Sequence, residues 1–90
     1  MLDAKQRHAL KGRAHLLKPV VIIGNQGVSP GVLGELDVAL HAHELIKVRL
    51  PALEAAERAE MIAALTTASG AELVGRIGRI VMLYRPQSGA

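Results

Sequence analysis

Gly24-Asn25-Gln26-Gly27 is the stretch of this chain best suited to hold a ligand. A four-residue apolar run, Val20–Ile23, leads into it, and a helix-start signal, Ser29-Pro30, follows. The first backbone N–H groups of a helix lack intrahelical partners and sit at the positive end of the helix dipole, so the junction suits an anion. Glycine at both ends of the loop lets a phosphate backbone come close with no Cβ in the way. Asn25 and Gln26 add side-chain donors. The Gly-Lys-Ser/Thr ending of a P-loop is absent, and so is G-x-G-x-x-G, which removes nucleotide hydrolysis.

What remains for this spacing is the four-residue clamp with which KH domains hold single-stranded backbones. The bland alternative is a turn whose glycines serve only positive φ. A second match, Gly75-Arg76-Ile77-Gly78, has no helix after it. Gly75 there reads as a bulge or close-packing site, and Gly78 as a hairpin turn. Its neighbours Arg76 and Arg79 can reach phosphate whatever the glycines do.

Charge is unevenly spread over the 90 residues. Net charge is +3, made of +4 in residues 1–27, −4 in residues 28–72 and +3 in residues 73–90. A fold that brings the two ends together makes one face positive, as a nucleic-acid or membrane-surface binder needs. A merely soluble charge mixture is the other possibility.

Other chemistries find little support. With no Cys there are no disulfides, thiolate metal sites or cysteine nucleophiles, which is compatible with a reducing cytoplasm. His41 and His43 lack a third ligand pattern and fit a helix C-terminus, where the dipole favours histidine. His8 and His15 read as helix-surface residues. Glu54, Glu57 and Glu60 are spaced along one solvated helix face, and Ser29 is explained by capping, so no nucleophile, base or paired-acid site stands out. No catalysis, metal, cofactor or small-molecule substrate is expected. Tyr84 is the sole aromatic residue, either core or stacking surface, so a platform of several stacked bases is excluded. No helix presents a set of base-reading side chains for duplex DNA. No apolar run approaches a membrane span or a signal-peptide core, and a soluble intracellular protein is expected.

The elements that must position the loop follow from local pattern. Asp3 can cap a mostly polar first helix reaching about Ala14. Val20–Ile23 reads as a strand buried on both faces. Ser29 and Pro30 start a second helix running to about Ala42, with Val32, Leu33, Leu36, Ala39 and Leu40 on one stripe. Glu44–Leu50 alternates: Ile46, Val48 and Leu50 face one way, Leu45, Lys47 and Arg49 the other. A third helix spans about Leu53 to Ala68, with Gly70 fitting its C-cap. Glu72–Arg85 reads as a hairpin turning near Gly78-Arg79. The order α-β-α-β-α-β-β suggests one α/β domain over residues 1–86, a two-layer sandwich on a four-stranded mixed sheet, with residues 87–90 as a flexible tail.

Several segments, in order, resemble the CRM domain, the chloroplast RNA splicing and ribosome maturation domain. They are "LKP" (Leu17–Pro19), the apolar run into Gly24-x-x-Gly27, "ELIKV" (Glu44–Val48), and "IGR" (Ile77–Arg79) leading into "LYR" (Leu83–Arg85). The resemblance covers roughly residues 3–86 and is nearest to the stand-alone bacterial, YhbY-like members. It implies a fold similar to the C-terminal domain of translation initiation factor three and related to KH domains. It also implies RNA binding without catalysis, with bacterial members associated with precursors of the large ribosomal subunit. The family's G-x-x-G loop falls on Gly24–Gly27.

Together these readings point to a cytoplasmic RNA-binding protein whose partners are large-subunit ribosomal RNA precursor and the pre-50S particle. Gly24 and Gly27 allow close approach, Asn25 and Gln26 donate, and Lys5, Lys11, Arg13, Lys18, Lys47, Arg49, Arg76 and Arg79 supply the positive field. The rival reading is a protein-interaction module that docks on a ribosomal protein or assembly factor through the acidic third helix.

Overall fold

The computed structural model describes residues 2–87. Its elements are α1 (Ala4–Ala14), β1 (Pro19–Ile22), α2 (Pro30–His43), β2 (Leu45–Arg49), α3 (Ala55–Ser69), β3 (Glu72–Ile77) and β4 (Ile80–Tyr84). The four strands form one mixed sheet in the order β1-β2-β4-β3. β1 runs parallel to β2, while β2–β4 and β4–β3 are antiparallel. This is the α/β fold with three helices and a four-stranded mixed sheet that the sequence pattern suggested.

Local chemistry explains the boundaries. Asp3 and Gln6 cap each other reciprocally: Asp3 Oδ1 accepts from the Gln6 backbone N–H at 2.7 Å, and Gln6 Oε1 accepts from that of Asp3 at 2.9 Å. Ser29 Oγ accepts from the Val32 backbone N–H, and Pro30 occupies the first turn of α2. Gly70 ends α3 with φ +73°, a left-handed conformation that glycine adopts without strain. Gly78, at φ +58°, makes the two-residue turn between β3 and β4.

Period two splits the sheet residues between two cores. Ile46, Val48, Val81 and Leu83 point to one face and pack with Leu36 and Leu40 of α2 and Leu65 of α3. Leu45, Val74 and Met82 point to the other and pack with Leu10 and Ala14 of α1, with Tyr84 beside them. α2 and α3 thus form the helical layer expected from the sequence. α1 adds a partial third layer, because its two buried side chains meet residues that face away from α2 and α3.

β1 corrects one expectation. It is an edge strand, with Val21 and Ile23 buried but Val20 52% and Ile22 66% exposed. It has one strand neighbour, and α1 packs on β3 and β2 rather than over it. An unbroken apolar run reads the same whether one face or both are covered.

Arg85 and Gln87 are anchored to the helices. Arg85 donates from Nη1 to Asp37 Oδ1 and to the Ser69 carbonyl, both at 2.9 Å, joining the last strand to the C-terminal halves of α2 and α3. The Gln87 backbone N–H donates to Glu44 Oε2 at 2.7 Å, and its side-chain amide donates to the His41 carbonyl. Of the expected flexible tail, residues 88–90 lie outside the described residues.

Candidate nucleic-acid interface

The Gly24–Gly27 loop is built by the end of β1. The Ile23 N–H donates to the Arg49 carbonyl at 2.9 Å, which carries the strand pairing to the loop's first residue. The Gly27 N–H then donates to the Gly24 carbonyl at 3.0 Å and closes a tight turn. Asn25 and Gln26 are exposed at its tip. Val28 returns the chain to the core, and Ser29 caps α2.

The two glycines have different reasons to be there. Gly27 has φ +75°, which a side chain would strain. Gly24 has no positive φ, and a Cβ built on it would meet nothing within 4 Å. The turn alone therefore accounts for Gly27 and not for Gly24. The space in front of Gly24 is open to whatever approaches the loop.

Strand register gathers cations around this end of the sheet. Ile22 pairs with Arg49 across β1–β2, and Arg49 pairs with Ile80 across β2–β4. The Leu50 N–H donates to the Arg79 carbonyl at 2.7 Å. The loop, Arg49 and the Gly78-Arg79 turn are therefore at one end. Lys47 is two residues back along β2, on the same face as Arg49. Lys11 of α1 reaches this face too, beside His15, Lys47, Arg76, Ile77 and Met82 around a shallow depression.

Some of these groups also hold the fold. Lys47 Nζ donates to the Leu17 carbonyl at 3.0 Å, and Arg76 Nη1 donates back to the Gly78 carbonyl at 2.6 Å. Among the described residues, neither Lys11, Lys47, Arg49, Arg76 nor Arg79 forms an ion pair with a carboxylate. Arg85 does, at 2.9 Å from Asp37, so it acts as a clasp.

The remaining expected cations are elsewhere. Arg13 and Lys18 border a separate hollow with Leu17, Val20, His43, Leu45 and Ile46, near the start of β2. Lys5 lies in the first turn of α1, near where Arg7 Nε donates to the Leu73 carbonyl and the Leu2 N–H donates to Glu72 Oε2. That N–H, together with the Arg7 charge, holds the Glu72 carboxyl below its usual value. Register thus places Arg49 and Arg79 at the loop end of the sheet, while Lys11, Lys47 and Arg76 border the depression farther along it, with Lys5, Arg13 and Lys18 outside both.

The family model of the CRS1/YhbY (CRM) domain matches residues 2–85. The chain belongs to the CRM family. It is similar to an RNA-binding protein of Haemophilus influenzae, 43% identical over 89 residues that cover 99% of this chain and 90% of that one. A probable RNA-binding protein of Pseudomonas aeruginosa is 40% identical, over 93% of this chain and 81% of that one. The solution structure of a Staphylococcus aureus protein, described as a candidate RNA-binding protein, superposes with a TM-score of 0.85. It shares 32% identity, over 98% of this chain and 92% of that one.

In this CRM domain His15 gains a place that the sequence reading did not give it, and Gly75 gains a partner. His15 lies one helical turn from Lys11 and borders the same depression. Gly75 lies under Lys11: a Cβ there would come within 2.6 Å of Lys11 Cε. The Lys11/His15 spacing was a signal in the sequence for the first. Gly75 reads from the sequence as a bulge or close-packing site and is both, at a register shift in β3 and under Lys11; only the partner is not legible, because Lys11 and Gly75 meet across the fold. Among the described residues no cluster of three or more His, Asp or Glu could hold a metal ion. None of the described helices is long and apolar enough to cross a membrane.

Proposed function

We propose that this CRM protein is a non-enzymatic, cytoplasmic RNA-binding protein that grips phosphate with its Gly24–Gly27 loop and neighbouring cations. The observation that carries this reading is the open space at Gly24, a glycine that its own fold does not require, beside Arg49 and Arg79. Exposed main-chain and amide donors then face a polyanion that no Cβ holds off. Arg49, Arg79, Lys47 and Lys11 add attraction that does not depend on base sequence. Lys5, Arg13, Lys18 and Arg76 lie farther out or are turned inward and contribute less.

The RNA we propose is precursor of large-subunit ribosomal RNA within the pre-50S particle. The relatives named as RNA-binding proteins support the class of partner, and the resemblance to bacterial YhbY-like members supports the target. Cross-linking in cells, followed by sequencing of the attached RNA, tests the target directly: large-subunit precursor should dominate. Binding to an unstructured oligouridylate tests the class. Three or four phosphate contacts should give a log–log salt slope of about −2 to −3. Negligible RNA affinity at every salt concentration would instead favour the protein-docking reading.

A further inference from the structure

We infer that the depression of about 240 Å³ between α1 and the sheet is a seat for one RNA phosphate, and that Gly75 makes it by letting Lys11 lie flat across β3. This rests on the RNA-binding reading above and adds a second contact point beside the loop.

Three observations carry it. First, Gly75 lies at a register shift in the β3–β4 pairing without a positive φ, and a Cβ there would meet Lys11 Cε at 2.6 Å and Met82 Cε at 3.3 Å. The missing side chain is filled by the Lys11 stem. Packing an aliphatic stem on a sheet while the ammonium stays wet is ordinary for lysine, and here it sets where the charge ends up. The would-be Cβ lies 3.5 Å from Lys11 Nζ, so the ammonium itself is close to the strand.

Second, the depression is bordered by the basic residues Lys11, His15, Lys47 and Arg76, with Ile77 and Met82 and no carboxylate; Arg76 pairs with Val81, which starts its side chain on the other face, so Lys11, His15 and Lys47 supply the charge. Third, Lys47 has one donor tied down, to the Leu17 carbonyl. It keeps further N–H groups for a ligand, so the tether orients the charge without using it up. A tetrahedral anion with several acceptor oxygens matches donors converging from α1 and β2.

The test uses Gly75→Ala, Lys11→Ala and the double variant, each titrated with oligouridylate at several salt concentrations, alongside thermal melts. Both atoms crowding the new methyl are ends of flexible side chains, so Gly75→Ala should fold and displace Lys11. Each single variant should weaken binding by about two- to fivefold, the scale of one exposed ion pair. Lys11→Ala should also make the salt slope shallower by about 0.7. The double variant should be no weaker than Lys11→Ala alone, because Gly75 acts through Lys11. Unchanged affinity in folded Gly75→Ala and Lys11→Ala, while the parent protein binds, overturns the phosphate seat and leaves the loop reading standing. Additive losses in the double variant overturn Gly75 as the residue that positions Lys11. A parent protein that does not bind RNA removes both readings.

Discussion

The chain contains the pattern Gly-x-x-Gly twice, and the two copies are used differently. In Gly75–Gly78 both glycines answer to the protein itself: Gly78 to a positive φ and Gly75 to the Lys11 side chain lying on it. In Gly24–Gly27 only the second does. Gly24 has neither a strained backbone nor a neighbour to accommodate. A spacing motif therefore says little until each glycine is asked what a Cβ would touch. Where nothing in the fold would be touched, as at Gly24 and also at Gly12 and Gly34, the fold does not account for the glycine.

The same contrast runs through the arginines, and it sets the largest expected effect. Arg85 holds Asp37 and the Ser69 carbonyl, whereas Arg79 at the hairpin turn has no carboxylate partner among the described residues. Arg85→Ala should cost about 2 kcal/mol of stability, since it strips charged hydrogen bonds from a half-buried group. Arg79→Ala should leave the melting temperature in place and weaken RNA binding by a similar factor for unrelated sequences. Chemical denaturation of both variants, with RNA titrations of the second, checks this. Equal loss of stability would erase the distinction.

The glycines come next. Gly27→Ala should destabilise by about 1–2 kcal/mol, the cost of a side chain in left-handed backbone. Gly24→Ala should be neutral, or more stable by up to about 1 kcal/mol through reduced freedom of the unfolded chain, while losing RNA affinity. The opposite stability effects follow from backbone φ alone; loss of RNA affinity in a Gly24→Ala variant that keeps its stability would be hard to obtain from a purely structural turn.

The smallest effect concerns the far end of the sheet, away from the loop. Glu72 accepts from the Leu2 N–H at 2.8 Å, and its carboxyl is held below the usual value. A lowered carboxyl stabilises the fold above the ordinary glutamate range, and that contribution is lost as pH falls through the folded value. The tether of α1 should loosen on acidification, seen as faster exchange of the Leu2 amide. RNA binding at the loop should keep its affinity in Glu72→Gln at neutral pH.

Much of the fold was legible in the sequence because several signals were local. Ser29-Pro30, Gly70 and Gly78-Arg79 each fix a boundary by their own chemistry. Alternation over Glu44–Leu50 gave the facing of Ile46 and Lys47 correctly. The exposure of β1 was not legible, because Val20–Ile23 is apolar at every position and carries no period. Nor was the side of the sheet that α1 takes, since Leu10 and Ala14 are its only buried residues. The loop was visible as a motif. The placing of Arg49 and Arg79 at the loop end, with Lys11 and Lys47 at the depression and Lys5, Arg13 and Lys18 elsewhere, depends on register and helix placement. So does the use of Arg85 as a clasp, which composition counts simply as positive charge.

The most direct test of the account is the affinity of the double variant Asn25→Asp/Gln26→Asp for oligouridylate, measured beside its melting curve. The two side chains are exposed and the glycines stay in place, so folding should be unaffected. Two carboxylates at the tip should repel phosphate and lower affinity by about tenfold or more at low salt, and less as salt screens them. A folded variant that binds as tightly as the parent would contradict the claim that this loop holds the RNA backbone.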